Sequence, residues 1–113
     1  MRATAAQGAH PPGVPLRVYG GYVEARVALK RNAPANAAQV LRWLLSYLAE
    51  ERGIPAESSF PSKLEALCEH GVISARIRDE LFERAMGDPP EHAWALMSVV
   101  EHALSRLYLQ PGH

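Results

Sequence analysis

The stretch Ala35–Arg52, ANAAQVLRWLLSYLAEER, decides the fold. Val40, Leu41, Leu44, Leu45 and Leu48 recur at three and four residues, and Ala37, Ala38 and Tyr47 widen them into one apolar stripe. That period belongs to a helix with one face in a core. Gly53 follows and supplies the left-handed residue on which helices commonly end. Arg42 alone interrupts the stripe, with Trp43 beside it.

Working outward toward the C-terminus, residues 54–60 read as a loop and Pro61–His70 as a short third helix. Ser62 and Glu65 there have the spacing of a capping box. Leu64, Leu67 and Cys68 form its inner side, and Gly71 stops it. A fourth helix runs from Ser74, a natural cap, through Ile77, Leu81 and Phe82 to Met86, closed by Gly87. The fifth spans about Pro89 to Leu109. Ala93, Leu96, Met97, Val100, Ala103, Leu104 and Leu107 give it a clean amphipathic period.

Toward the N-terminus, Arg31-Asn32-Ala33-Pro34 ends an earlier helix, because proline disfavours helical geometry in the residue before it. That first helix is expected over Tyr22–Lys30, with Tyr22, Val23, Val27 and Leu29 as its apolar positions and Gly20-Gly21 as a break before it. Residues 1–14, rich in Ala, Gly and Pro, read as a mobile tail or irregular arm. Residues 15–113 read as a single domain. No segment alternates like a strand, apart from a few residues around Val18. The expected fold is all-α: a bundle of about five helices with short loops, sequential helices packing antiparallel.

At 113 residues the chain is long enough for one modest core. Twelve basic side chains balance twelve acidic ones, so no overall positive field draws it to nucleic acid or anionic lipid. Residues 1–57 nevertheless hold seven basic groups against four acids, an excess of three that residues 58–113 reverse. That asymmetry suits a weak phosphate contact or a self-complementary dimer. Cys68 is the single cysteine, which excludes an internal disulfide or a multi-cysteine zinc site. No run approaches the ~18 apolar residues of a membrane helix. No signal-peptide pattern opens the chain, and a reduced, cytoplasmic setting is the expectation.

Chemistry is expected at Leu81–Leu96, LFERAMGDPPEHAWAL, where one helix ends and the next begins. His92 falls in the first turn of the fifth helix, where the partial positive charge of the helix end favours neutral imidazole. Arg84 falls in the last turn of the fourth. An arginine can hold a phosphate through two bonds while a histidine moves a proton near neutral pH. Free amides at the helix start add anion affinity. The plain structural alternatives are a carbonyl-end cation for Arg84 and a helix cap for Asp88, with Pro89 in the first turn and Glu91 three residues on. Arg42 reads as a snorkelling side chain on the core rim, as a charge paired with an acid on the fourth or fifth helix, or as a second phosphate contact. His102, one turn before Arg106, reads as a half-exposed flank, and His70 as a cation at a helix end. Cys68 and His70 are too short of companions to hold a metal. Neither a metal nor a cofactor is expected.

The order of these pieces resembles a bacterial domain-of-unknown-function family in the HEPN superfamily of small helical domains. Pro34, Ala37, Ala38, Leu41 and Arg42 match that family's second-helix pattern. Leu64, Leu67, Gly71 and Ile73 match its third-helix segment, and Arg84, Gly87, Asp88 and His92 match its "R-x-x-G-N-x-x-x-H" corner. The resemblance implies a helical bundle that often dimerises. In active members of the wider superfamily, a corner of this kind builds a metal-independent RNase centre at the dimer seam. Carried to this chain, it implies Arg84, His92 and Asp88 as catalytic residues; Arg42 and Glu91 are the candidate substrate contacts. Asp88 stands where the family prefers Asn, and Pro89-Pro90-Glu91 replaces small residues; both departures point toward the non-catalytic members.

Three functions follow as expectations. One is a homodimeric RNase or RNA-binding domain of a bacterial defence, toxin or RNA-processing system. The second is a helical adaptor of the same fold for a cognate protein partner, favoured by the neutral charge and by Trp94, one face away from the main stripe. The third is nucleotide binding without cleavage.

Overall fold

A computed structural model describes residues 13–84 and 89–109. Five α-helices follow in order: α1 Leu16–Lys30, α2 Pro34–Glu50, α3 Phe60–Glu69, α4 Ala75–Arg84 and α5 Pro89–Leu104, the last continuing into a π-helical turn, Ser105–Leu109. No strand occurs among the described residues. The chain is an all-α bundle, as its apolar periodicity requires. The expected Gly87 stop and the tail through Pro12 lie outside the described residues.

α2 is the central element. Leu41, Leu44, Leu45 and Leu48 are wholly buried, and α1, α3 and α5 all pack around them. Val40 and Tyr47 flank the stripe half-buried. Leu64 and Leu67 of α3 complete the core on one side, and Leu96, Val99 and Val100 of α5 on the other. α4 closes the bundle against α5 and α3, with Leu81 buried. Phe82, beside it in sequence, is exposed.

The helix ends obey local chemistry. Asn32, with φ 59°, and Gly53, with φ 92°, take the left-handed conformation after α1 and α2. Ala33 N–H then bonds Ala28 O at 2.8 Å, and Gly53 N–H bonds Glu50 O at 3.0 Å, so late carbonyls of each helix find donors. Gly71 ends α3 in the same way, with φ 75°. The cap of α3 is Ser59 rather than Ser62. Ser59 Oγ accepts from Ser62 N–H at 3.2 Å, so Ser62 sits at the third helical position and the Ser62/Glu65 box does not form. Ser74 caps α4 as expected, accepting from Ile77 N–H at 3.2 Å.

α1 departs most from expectation. It begins six residues earlier than Tyr22 and runs straight through Gly20-Gly21, and Val18 is helical and fully buried. Two interior glycines cost about 1 kcal/mol each relative to alanine, yet tertiary packing outweighs that at Gly21. A side-chain carbon there would stand 3.0 Å from Leu44 Cδ2, so glycine lets α1 approach α2 closely. Val18, Gly21 and Ala25 therefore form the buried face. Val23 and Val27, expected to face inward, are exposed. Val14, assigned to the tail, is buried in the core.

Candidate functional site

Pro89 and Pro90 open α5, where proline's missing N–H removes donors that have no partner within the helix. His92 follows in the first turn and faces α2. Its Nε2 lies 2.8 Å from Nη2 of Arg42, a residue fifty positions earlier. Guanidinium only donates, so Nε2 accepts and the imidazole proton belongs on Nδ1. Nδ1 is buried and has no hydrogen-bond partner among the described residues. Burial pushes the imidazole below the usual histidine range, and the Arg42 charge pushes it further down. Geometry and electrostatics agree on a neutral His92.

Arg42 reaches this position because α2 turns its apolar stripe inward and leaves residue 42 on the rim facing α5. It is an exposed residue whose guanidinium spans to a half-buried ring. The expected partner of Arg42 was an acid on α4 or α5; the observed partner is a neutral ring on α5. The expected partner of His92 was Arg84, whose side chain lies outside the described residues, as does Asp88. Glu91 is exposed in the first turn of α5, where its charge suits the positive helix end. It makes no hydrogen bond or ion pair among the described residues. Of the five anticipated site residues, the structure joins Arg42 and His92.

Chemically, this pair is a charge-assisted brace between α2 and α5. One imidazole nitrogen is engaged by Arg42 in an exposed contact, and the other is buried. Were the Arg42 side chain to swing onto a phosphate, Nε2 would become free to take a proton.

A second polar cluster, not anticipated from sequence, lies between α1 and α5. Tyr22 Oη donates to Glu101 Oε2 at 2.7 Å, and the Arg26 guanidinium sits 5.8 Å from the Tyr22 ring centre. Burial raises the Tyr22 phenol above its ordinary value, and Glu101 adds to the shift. With Lys30, Trp94 and Met97 these residues line a shallow cleft of about 280 Å³. Its only sequence signal was the unassigned Trp94, which is indeed exposed.

The remaining charged contacts are structural. Lys63, buried among apolar neighbours, donates to Glu50 Oε2 at 3.0 Å and to Ala56 O at 2.9 Å, tying the α2–α3 loop to both helices. Arg78 binds Glu65 at 2.8 Å and so joins α4 to α3. Arg106 and His102 lie 3.4 Å apart on one flank. Cys68 is a half-buried free thiol and His70 is exposed. Among the described residues no three His, Cys, Asp or Glu side chains converge as a metal site, and no helix is long and apolar enough to cross a membrane.

No protein-family model, curated protein or solved structure matches this chain.

Proposed function

We propose that this chain is a HEPN-like, self-associating helical module of a bacterial defence, toxin or RNA-processing system, and that it acts by binding and assembly. The observation that carries this reading is the Arg42–His92 contact. A ring with Nε2 held at 2.8 Å by a guanidinium and Nδ1 buried supplies no proton acceptor to a substrate. The pair then works as an internal strut, and the functional surface lies elsewhere on the bundle. The order of the motifs, with Arg42 and His92 both within it, supports the HEPN-like assignment. Purified chain incubated with single-stranded RNA in the presence of a chelator should leave the RNA intact. Cleavage that disappears in His92→Ala would refute the non-catalytic reading.

The metal-independent RNase stands as the second reading, and one observation favours it: a neutral imidazole sits next to an arginine, the two parts such chemistry requires. In that reading the 2′-hydroxyl attacks phosphorus while Nε2 takes its proton. The 5′-oxygen leaves, taking its proton from the imidazolium so formed, and a 2′,3′-cyclic phosphate results. Arg42 and Arg84 would hold the phosphate. The same assay decides between the two, since only the RNase yields the cyclic product.

A further inference from the structure

Helix α1 is apolar on two opposite sides. Its buried side, Val18, Gly21 and Ala25, packs against α2 and α5. Its other side carries Leu16, Gly20, Val23 and Val27, spaced by four, three and four residues and therefore aligned on one stripe. Leu16 is 74% exposed, and Val23 and Val27 are 37% and 39% exposed. The exposed Trp43 of α2, stacked on Tyr47, lies on the far side of the Arg17 and Glu24 flank.

Gly20 stands in the middle of this stripe. A side-chain carbon added there meets nothing within 4 Å, unlike one at Gly21. Packing within the described chain thus gives no reason for a residue that weakens the helix relative to alanine. A second helix crossing at that point would give one, because glycine lets another backbone come close.

We propose that the outer face of α1 is a self-association surface on which a second copy docks its own α1 antiparallel, Val23 of each copy lying over Gly20 of the other. The register follows from the stripe and from charge. Antiparallel pairing about the stripe's midpoint sets Leu16 against the partner's Val27 and Gly20 against the partner's Val23. Arg17 and Glu24 share one flank, and neither has an ion-pair partner among the described residues. In the same register each falls beside the opposite charge of the other copy. A parallel two-fold pairing would put the Arg17/Glu24 flanks of the two copies on opposite sides of the seam, where these charges do not meet. Such a two-fold interface is self-complementary, as closed dimers require. One helix face is small against the ~800 Å² per partner of a standard interface, so association is weak and concentration-dependent.

This inference takes the self-association in the preceding reading and gives it a face and a register. Sedimentation of the full chain from about 1 to 500 μM should resolve a monomer–dimer equilibrium. Val23→Arg, at an exposed site, should weaken it on the order of a hundredfold. Gly20→Leu should hold or raise the stability of the monomer while weakening association about tenfold or more. Arg17→Glu should weaken it about tenfold, and adding Glu24→Arg should restore it. A full chain that stays monomeric throughout overturns the proposal, as does a dimer indifferent to Val23→Arg and Gly20→Leu. Failure of the double charge swap to restore association overturns the antiparallel register. A monomer that still binds RNA or a partner protein removes this interface alone. RNA cleavage lost in His92→Ala removes the non-catalytic reading and leaves the interface standing.

Discussion

Replacing either member of the Arg42–His92 pair should have unequal effects on stability. Arg42→Ala removes a hydrogen bond from a charged donor. The arginine is exposed, so the loss falls at the low end for such bonds, about 1 kcal/mol, or roughly a fivefold shift in the folding equilibrium. His92→Leu removes the same bond but also deletes a buried N–H that has no partner among the described residues, whose burial costs about 1–3 kcal/mol. Its net effect should be close to zero or slightly stabilising. The double variant should match His92→Leu, giving a coupling of about 1 kcal/mol. The pH dependence follows from the same geometry. His92 in the fold lies below the usual 6.5, for burial first and Arg42 second. As pH falls through 6.5 the unfolded chain takes up the proton before the folded one does. Stability is therefore fully present above 6.5 and is lost as pH drops toward the folded value. Urea unfolding at pH 7.5 and 5.5 should show wild type weakened at the lower pH and His92→Leu weakened less. His102, also lowered by burial and then by Arg106, supplies the remainder. Imidazole NMR should place His92 below 6.5, and in Arg42→Ala it should rise yet stay below, because desolvation, the larger cause, persists. A His92 that titrates above 6.5 in wild type would refute a neutral ring accepting from Arg42.

The two adjacent glycines offer a paired test. At concentrations where the chain is monomeric, Gly20→Ala should raise stability by about 0.5–1 kcal/mol, since its new carbon meets nothing. Gly21→Ala must press on the buried Leu44 and should lower stability by about 1 kcal/mol net of the helix gain. Thermal melts that order the two the other way would place the α1–α2 contact elsewhere. Lys63→Ala should cost about 1–3 kcal/mol, through its buried stem and its two bonds. Glu50→Gln should cost less, since Glu50 is partly exposed and the Ala56 carbonyl still receives Lys63.

Features governed by neighbours in the chain were legible in the sequence. The α2 stripe, the left-handed Gly53 and Gly71, the Ser74 cap and the α5 period each depend on residues within a turn or two, so residue type alone settles them. What only the tertiary structure decided depends on residues far apart. Gly20-Gly21 reads locally as a break, yet burial of Val18 and Ala25 and the close approach to Leu44 carry α1 through it. Val23 and Val27 look like core residues until α1 is docked and its other side proves to face α2. Arg42 and His92 each carried a local explanation, a snorkelling rim charge and a helix-end imidazole. Only the packing of α2 beside α5 brings a donor and an acceptor fifty residues apart to 2.8 Å, turning two side chains with separate readings into one brace. Helical period records which face of each helix is apolar, whereas the pairing of faces is a competition among all the helices at once, resolved by shape and burial.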